Sequence, residues 1–145
     1  LDEYKHGTII LNIKESGIEN DVIKLISQRP KIKNYFLLDV EFPFIFQSLE
    51  EPFKNIAVRF SEFETIENLN KLAGKMEWVW IDTFKHFPVQ EGDIATLNGF
   101  KKCLVCPERW GRPNDIYNYK MSMKNLNFKV DAVMTDKNYA ELWLD

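Results

Sequence analysis

Trp78-Val-Trp-Ile-Asp82 is the stretch on which the fold turns. It is an unbroken run of β-branched and aromatic residues closed by an acid. No polar residue alternates through it, which is how a strand covered on both faces reads. Successive strand residues face opposite ways, so Trp78 and Trp80 share one face and Val79 and Ile81 the other. Similar runs lie on either side. Upstream are residues 8–14 (TIILNIK), 35–39 (YFLLD) and 56–59 (IAVR); downstream are 102–106 (KCLVC) and 130–136 (VDAVMTD). Their starts are 21 to 28 residues apart.

The intervals carry helical patterns. Ser16-Gly-Ile-Glu19 has the spacing of a capping box, and Ile18, Val22, Leu25 and Ile26 form an apolar stripe that stops near Pro30. Ser61-Glu-Phe-Glu64 repeats that spacing ahead of Phe63, Ile66, Leu69 and Leu72, with Gly74 as the terminator. A short helix is expected after Pro43 with Ile45, Phe46 and Leu49 inward. Others are expected at 91–98, 114–125 and 137–144.

Covered strands alternating with helices imply parallel βαβ units. Six units fall short of the eight that close a (β/α)8 barrel, which typically needs about 200 residues or more. The chain has 145 and therefore reads as one domain, 1–145, or as part of a larger one. The expectation is an α/β fold, an incomplete (β/α)8 TIM-type barrel. The rival is a complete open doubly wound sheet, against which no Gly-rich phosphate loop follows the first run.

Composition narrows the function. Nineteen basic against 22 acidic residues give a net charge of −3, unlike the clustered cations of a nucleic-acid-binding domain. No apolar run approaches the roughly 20 residues of a membrane span, and no signal peptide opens the chain. A cytoplasmic protein is expected. Cys103 and Cys106 form a C-x-x-C, yet three positions along a strand point opposite ways, and no second pair exists to complete a zinc site. They read as two packed, unbonded thiols. His6 and His86 each stand alone, without a metal or nucleophile motif, and read as surface or loop residues.

Every run ends on or just before a charge: Lys14, Asp39, Arg59, Asp82, Glu108 (just past Cys106-Pro107) and Asp136. In a parallel barrel these ends converge on the face where active sites sit. Each Asp is also a candidate helix cap. Lys14 and Arg59 follow apolar runs that bury their stems, and they call for anionic partners, either a substrate or a neighbouring carboxylate. Pro107-Glu-Arg-Trp-Gly-Arg-Pro113 is the most distinctive loop. Glu108, Trp110 and Arg112 are its candidate substrate contacts, with Trp110 as a sugar or lipid platform or as a cover for the rim.

The succession Leu-Asn-Ile-Lys14, Val-Arg-Phe-Ser-Glu62, Trp-Val-Trp-Ile-Asp82, Cys-Leu-Val-Cys-Pro-Glu-Arg-Trp-Gly-Arg112 and Val-Asp-Ala-Val-Met-Thr-Asp136 resembles the glycerophosphodiester phosphodiesterase family. That family belongs to the phosphatidylinositol-phospholipase-C-like barrels, and the likeness is to a bacterial branch. It extends from about Thr8 to the end. It implies strands 3 to 8 of the barrel, with the first two units absent. The family's His-Arg pair, Glu-x-Asp motif and second His are not in this sequence, and the region upstream of Leu1 would have to supply them. Lys14 matches the phosphate-side lysine and is the candidate catalytic residue. Asn12 stands at a family metal-ligand position normally held by Glu, and a neutral amide is a weaker ligand for a hard cation. The resemblance thus implies a phosphoric diester hydrolase of lipid metabolism acting on a small-molecule phosphodiester. Lys14 would be catalytic, and Arg59, Asp82, Glu108, Arg112 and Trp110 would bind substrate. A divalent cation (Mg2+ or Ca2+) would serve the intact enzyme. The alternative is a non-catalytic barrel fragment that binds a polyol phosphate or serves in assembly, with self-association through open edges.

Overall fold

The computed structural model describes residues 1–5 and 7–144. The reading of His6 lies outside them. Six short strands form: β1 (Ile9–Asn12), β2 (Tyr35–Leu38), β3 (Ala57–Phe60), β4 (Trp78–Ile81), β5 (Lys101–Val105) and β6 (Ala132–Met134). Each falls within or beside an expected run. Five helices lie between them: α1 (Glu19–Ser27), α2 (Phe42–Ser48), α3 (Ile66–Asn70), α4 (Ile94–Leu97) and α5 (Ile116–Asn125). Short 3-10 turns precede α4 and α5, and another, Lys137–Trp143, closes the chain.

Every strand pair is parallel, and the strands lie in chain order. β1 pairs with β2, and β3 to β6 form a four-stranded sheet. A parallel bridge between Leu37 and Ile56 joins the two, helped by the Leu37 amide on the Asn55 carbonyl at 2.8 Å.

The two faces of the strands differ. On one, Val58, Phe60, Val79, Ile81 and Leu104 pack against Ile45, Leu69, Leu97 and Met123 from the helices. On the other, Phe36, Leu38, Ala57, Trp78, Trp80, Cys103 and Val105 pack only among strand side chains. A doubly wound sheet would carry helices on both faces, whereas all five helices here contribute to the first cluster or its margin. The parity of the two tryptophans is as expected, with Phe36 stacked on Trp78 at 4.8 Å between centroids.

Three local expectations need correction. Ser16 does not cap α1. The chain turns at Gly17 with φ 89°, Ile18 is the N-cap, and the buried Glu19 accepts from the Gly17 amide at 2.8 Å. Ser61 does not cap α3, which begins after an extended Thr65; Ser61 instead accepts from the Phe63 amide and bonds Glu64 across a tight turn. Phe46 does not face inward. It is 64% exposed, because a seven-residue helix has room to bury only Ile45 and Ser48.

Candidate functional site

The strands' C-terminal ends share one rim because all six run the same way. At its centre Asp39, just past β2, gathers two cations. Arg59 Nε donates to it at 2.9 Å and Lys14 Nζ lies at 3.4 Å. Arg59, on β3, also bonds Asp82 at the end of β4. The result is a row, Lys14–Asp39–Arg59–Asp82, laid across the ends of four strands.

The row is graded in burial. The Lys14 side chain is 75% exposed, Arg59 36%, Asp39 25% and Asp82 4%. Burial tends to raise Asp39, but hydrogen bonds and charge from Arg59, with Asn12 and Lys14, outweigh it and hold its carboxyl below the usual value. At Asp82 burial prevails. Its carboxyl is pushed up despite Arg59 and a hydrogen bond from Trp80, and nearby Glu64 and Asp39 push the same way. Asp39 also has φ 60°, a left-handed conformation that a non-glycine residue seldom adopts. It turns the carboxylate back over the strand ends instead of capping α2, whose N-cap is Glu41.

The other candidates fall in separate places. Glu108 accepts from Thr135 past β6, and its second carboxylate oxygen is buried without a partner among the described residues. Trp110 is 43% exposed and packs on Phe84 at 4.8 Å. Arg112 turns into the loop. It donates to Asp115 at 2.7 Å, to the Tyr119 hydroxyl at 3.1 Å and to the Thr83 carbonyl at 2.5 Å, and so ties the loop after β5 to the end of β4. Asp136 caps the final turn, accepting from the Asn138 amide at 2.9 Å. His86 reaches this rim 67% exposed, with Nδ1 3.8 Å from Glu62.

Two residues of the rim were not singled out as site residues in the sequence: Asp39, taken only as a strand-end charge, and Glu62. Glu62 accepts from the Lys85 and His86 amides, each at 2.8 Å, and joins the loops after β3 and β4. Burial would raise its carboxyl, but those two amides hold it below the usual value. Its signal was the acid directly after the third run, masked by its place inside an apparent capping box.

Among the described residues no three His, Cys, Asp or Glu side chains converge. A groove of about 950 Å³ lies away from the row, between α5 and the flank of β6, with Phe128, Val133 and Trp143 in its wall.

Neither a protein-family model, nor a curated protein, nor a solved structure matches this chain.

Proposed function

We propose that the chain is part of a (β/α)8 phosphodiester hydrolase of glycerophosphodiester type, that its six units are strands 3 to 8, and that it carries the phosphate-binding side of the site. The carrying observation is the row of Lys14, Asp39, Arg59 and Asp82 on one rim of chain-ordered parallel strands. Helices confined to one face support the barrel reading. Two unbonded, buried thiols suit a reducing, cytoplasmic setting.

In this reading Lys14 is the cation that meets the phosphate. It is the most exposed member of the row and has one long ion pair, so it can reorient toward a phosphoryl oxygen and stabilise charge that develops there. Arg59 acts through others: held by two carboxylates, it positions Asp39, which in turn orients Lys14. Proton transfer, worth typically about 10²–10⁴-fold, has no strand-end histidine to perform it within these residues. Among the described residues, His86 is the one histidine on the rim.

One observation favours the second reading, a non-catalytic fragment that binds a polyol phosphate: Arg59 is already paired on both sides. A chromogenic phosphodiester assay on the purified 145 residues, with and without Mg2+ or Ca2+, separates the two, alongside calorimetry with glycerol 3-phosphate. Binding that Lys14→Ala abolishes, with no turnover, is expected. Turnover lost in His86→Ala would mean that the family's histidines are not needed. No binding of the phosphate at all would remove both readings.

A further inference from the structure

Three loops on the rim present aromatic rings outward. Phe63 follows β3, Phe84 follows β4 and Trp110 follows β5. Phe63 and Phe84 lie 5.9 Å apart between centroids, and Phe84 and Trp110 lie 4.8 Å apart. The two ends of this strip are open to solvent, Phe63 at 67% and Trp110 at 43%. Phe42, in the first turn of the helix after β2, is another aromatic at 68%.

The charges on these loops are sorted by sign. Lys85 lies over the Phe63 ring at 5.6 Å and is exposed, and Arg109, beside Trp110, is exposed as well. The carboxylates turn inward. The Glu62 side chain is 8% exposed and accepts two backbone amides, Glu64 bonds Ser61, and Glu108 bonds Thr135. The chain is acidic overall, yet on this strip the outward charges are cationic.

We propose that the strip Phe63–Phe84–Trp110, flanked by Lys85 and Arg109, is a docking surface for an anionic lipid bilayer. Exposed aromatic rings with a polar setting partition into the headgroup region, and neighbouring cations are drawn to anionic headgroups. The strip is small, so the association is weak and reversible. Although the resemblance made Trp110 a substrate contact, the strip does not rest on the phosphodiesterase reading: it is argued from its own rings and cations, none of which belongs to the Lys14–Asp82 row.

The test is co-sedimentation of the 145-residue protein with vesicles, either phosphatidylcholine alone or equal parts phosphatidylcholine and phosphatidylglycerol. The mixed vesicles should bind it more tightly, and added salt should weaken that preference. Lys85→Ala and Arg109→Ala should each lower the partition coefficient for the mixed vesicles about fivefold. Phe63→Ala and Trp110→Ala should lower partitioning into both kinds. All four side chains are at the surface, and circular dichroism checks that each variant is folded. If the protein does not sediment with either vesicle, or if all four variants bind as the parent does, the proposal is wrong. It is equally wrong if Trp110→Ala leaves vesicle binding intact but removes binding of soluble glycerol 3-phosphate, which would make the strip a soluble-ligand platform.

Discussion

Arg59 stands between two carboxylates that differ in their surroundings: Asp39 is in partial contact with water and Asp82 is almost fully enclosed. Removing the cation strands the enclosed acid, whereas neutralising that acid leaves Arg59 with Asp39. We therefore expect Arg59→Leu to cost about 2–3 kcal/mol, toward the low side for a broken buried pair because Arg59 itself meets water. Asp82→Asn should cost under about 1 kcal/mol. Urea denaturation of both variants checks this, and equal losses would contradict it. Glu62 gives a pH signature. Its folded carboxyl lies below the unfolded value, so on acidification the unfolded chain takes up the proton first and stability falls. The Glu62 contribution should be full at neutral pH and fade below about pH 4. Asp39 has the same sign and Asp82 the opposite, since its folded value is raised. Glu62→Gln should thus be less stable than the parent at neutral pH and converge with it in acid. A gap that stays constant down to acid unfolding would refute that assignment. Lys14, Arg59 and Asp82 were legible in the sequence because each ends an apolar run. Their partner Asp39 was not legible as a hub, since its role depends on a left-handed backbone that composition does not reveal.

The strands were the most legible elements, since continuous apolar character marks a strand covered on both sides. The helices came out shorter than their patterns. In the first apparent capping box Glu19 bonds the Gly17 amide at the start of α1, and in the second Ser61 and Glu64 bond within a turn ahead of α3, because such side chains can bond nearby backbone and one another outside a cap. The loop after β5 ends its 3-10 turn, Pro107–Trp110, on Gly111 with φ 74°. Nothing lies within 4 Å of a Cβ placed there, so Gly111→Ala would meet only the backbone cost of a left-handed residue, about 1–2 kcal/mol. A fall in Tm without loss of secondary structure is expected; an unchanged Tm would show that the loop relaxes. In the same segment Cys103 lies on the strand-only face, and Cys106 follows the end of β5. Both are buried and free, and burial pushes the Cys103 thiol up to about 12 and raises Cys106 as well. Neither should react with a thiol reagent in the native protein, and both should react in denaturant. One fast-reacting thiol in the folded state would contradict this placement.

For the whole molecule, β1 and β6 each pair on one side only among the described residues. Every residue of β6 is only half-buried, and a groove of about 950 Å³ runs along it. Unpaired strand edges invite pairing with another chain. Sedimentation velocity should therefore show association that grows with concentration, and monomers at every concentration would count against it. The alternation of strand and helix was enough to read parallel, chain-ordered units. It could not say how far the strands curve toward closure, since curvature comes from twist and packing rather than from the order of elements. Chain order also has a meaning in time. Ala57 lies opposite Trp78, and Trp78 opposite Lys101, so each strand finds its place beside the one made just before it. At a synthesis rate of about 5–20 residues per second, a new unit leaves the ribosome every few seconds and meets a neighbour that is already there. Among the pairings seen in these six strands, none joins strands distant in the chain. The growing edge is the template for the next addition, and these six strands can assemble by accretion in the order in which they are made.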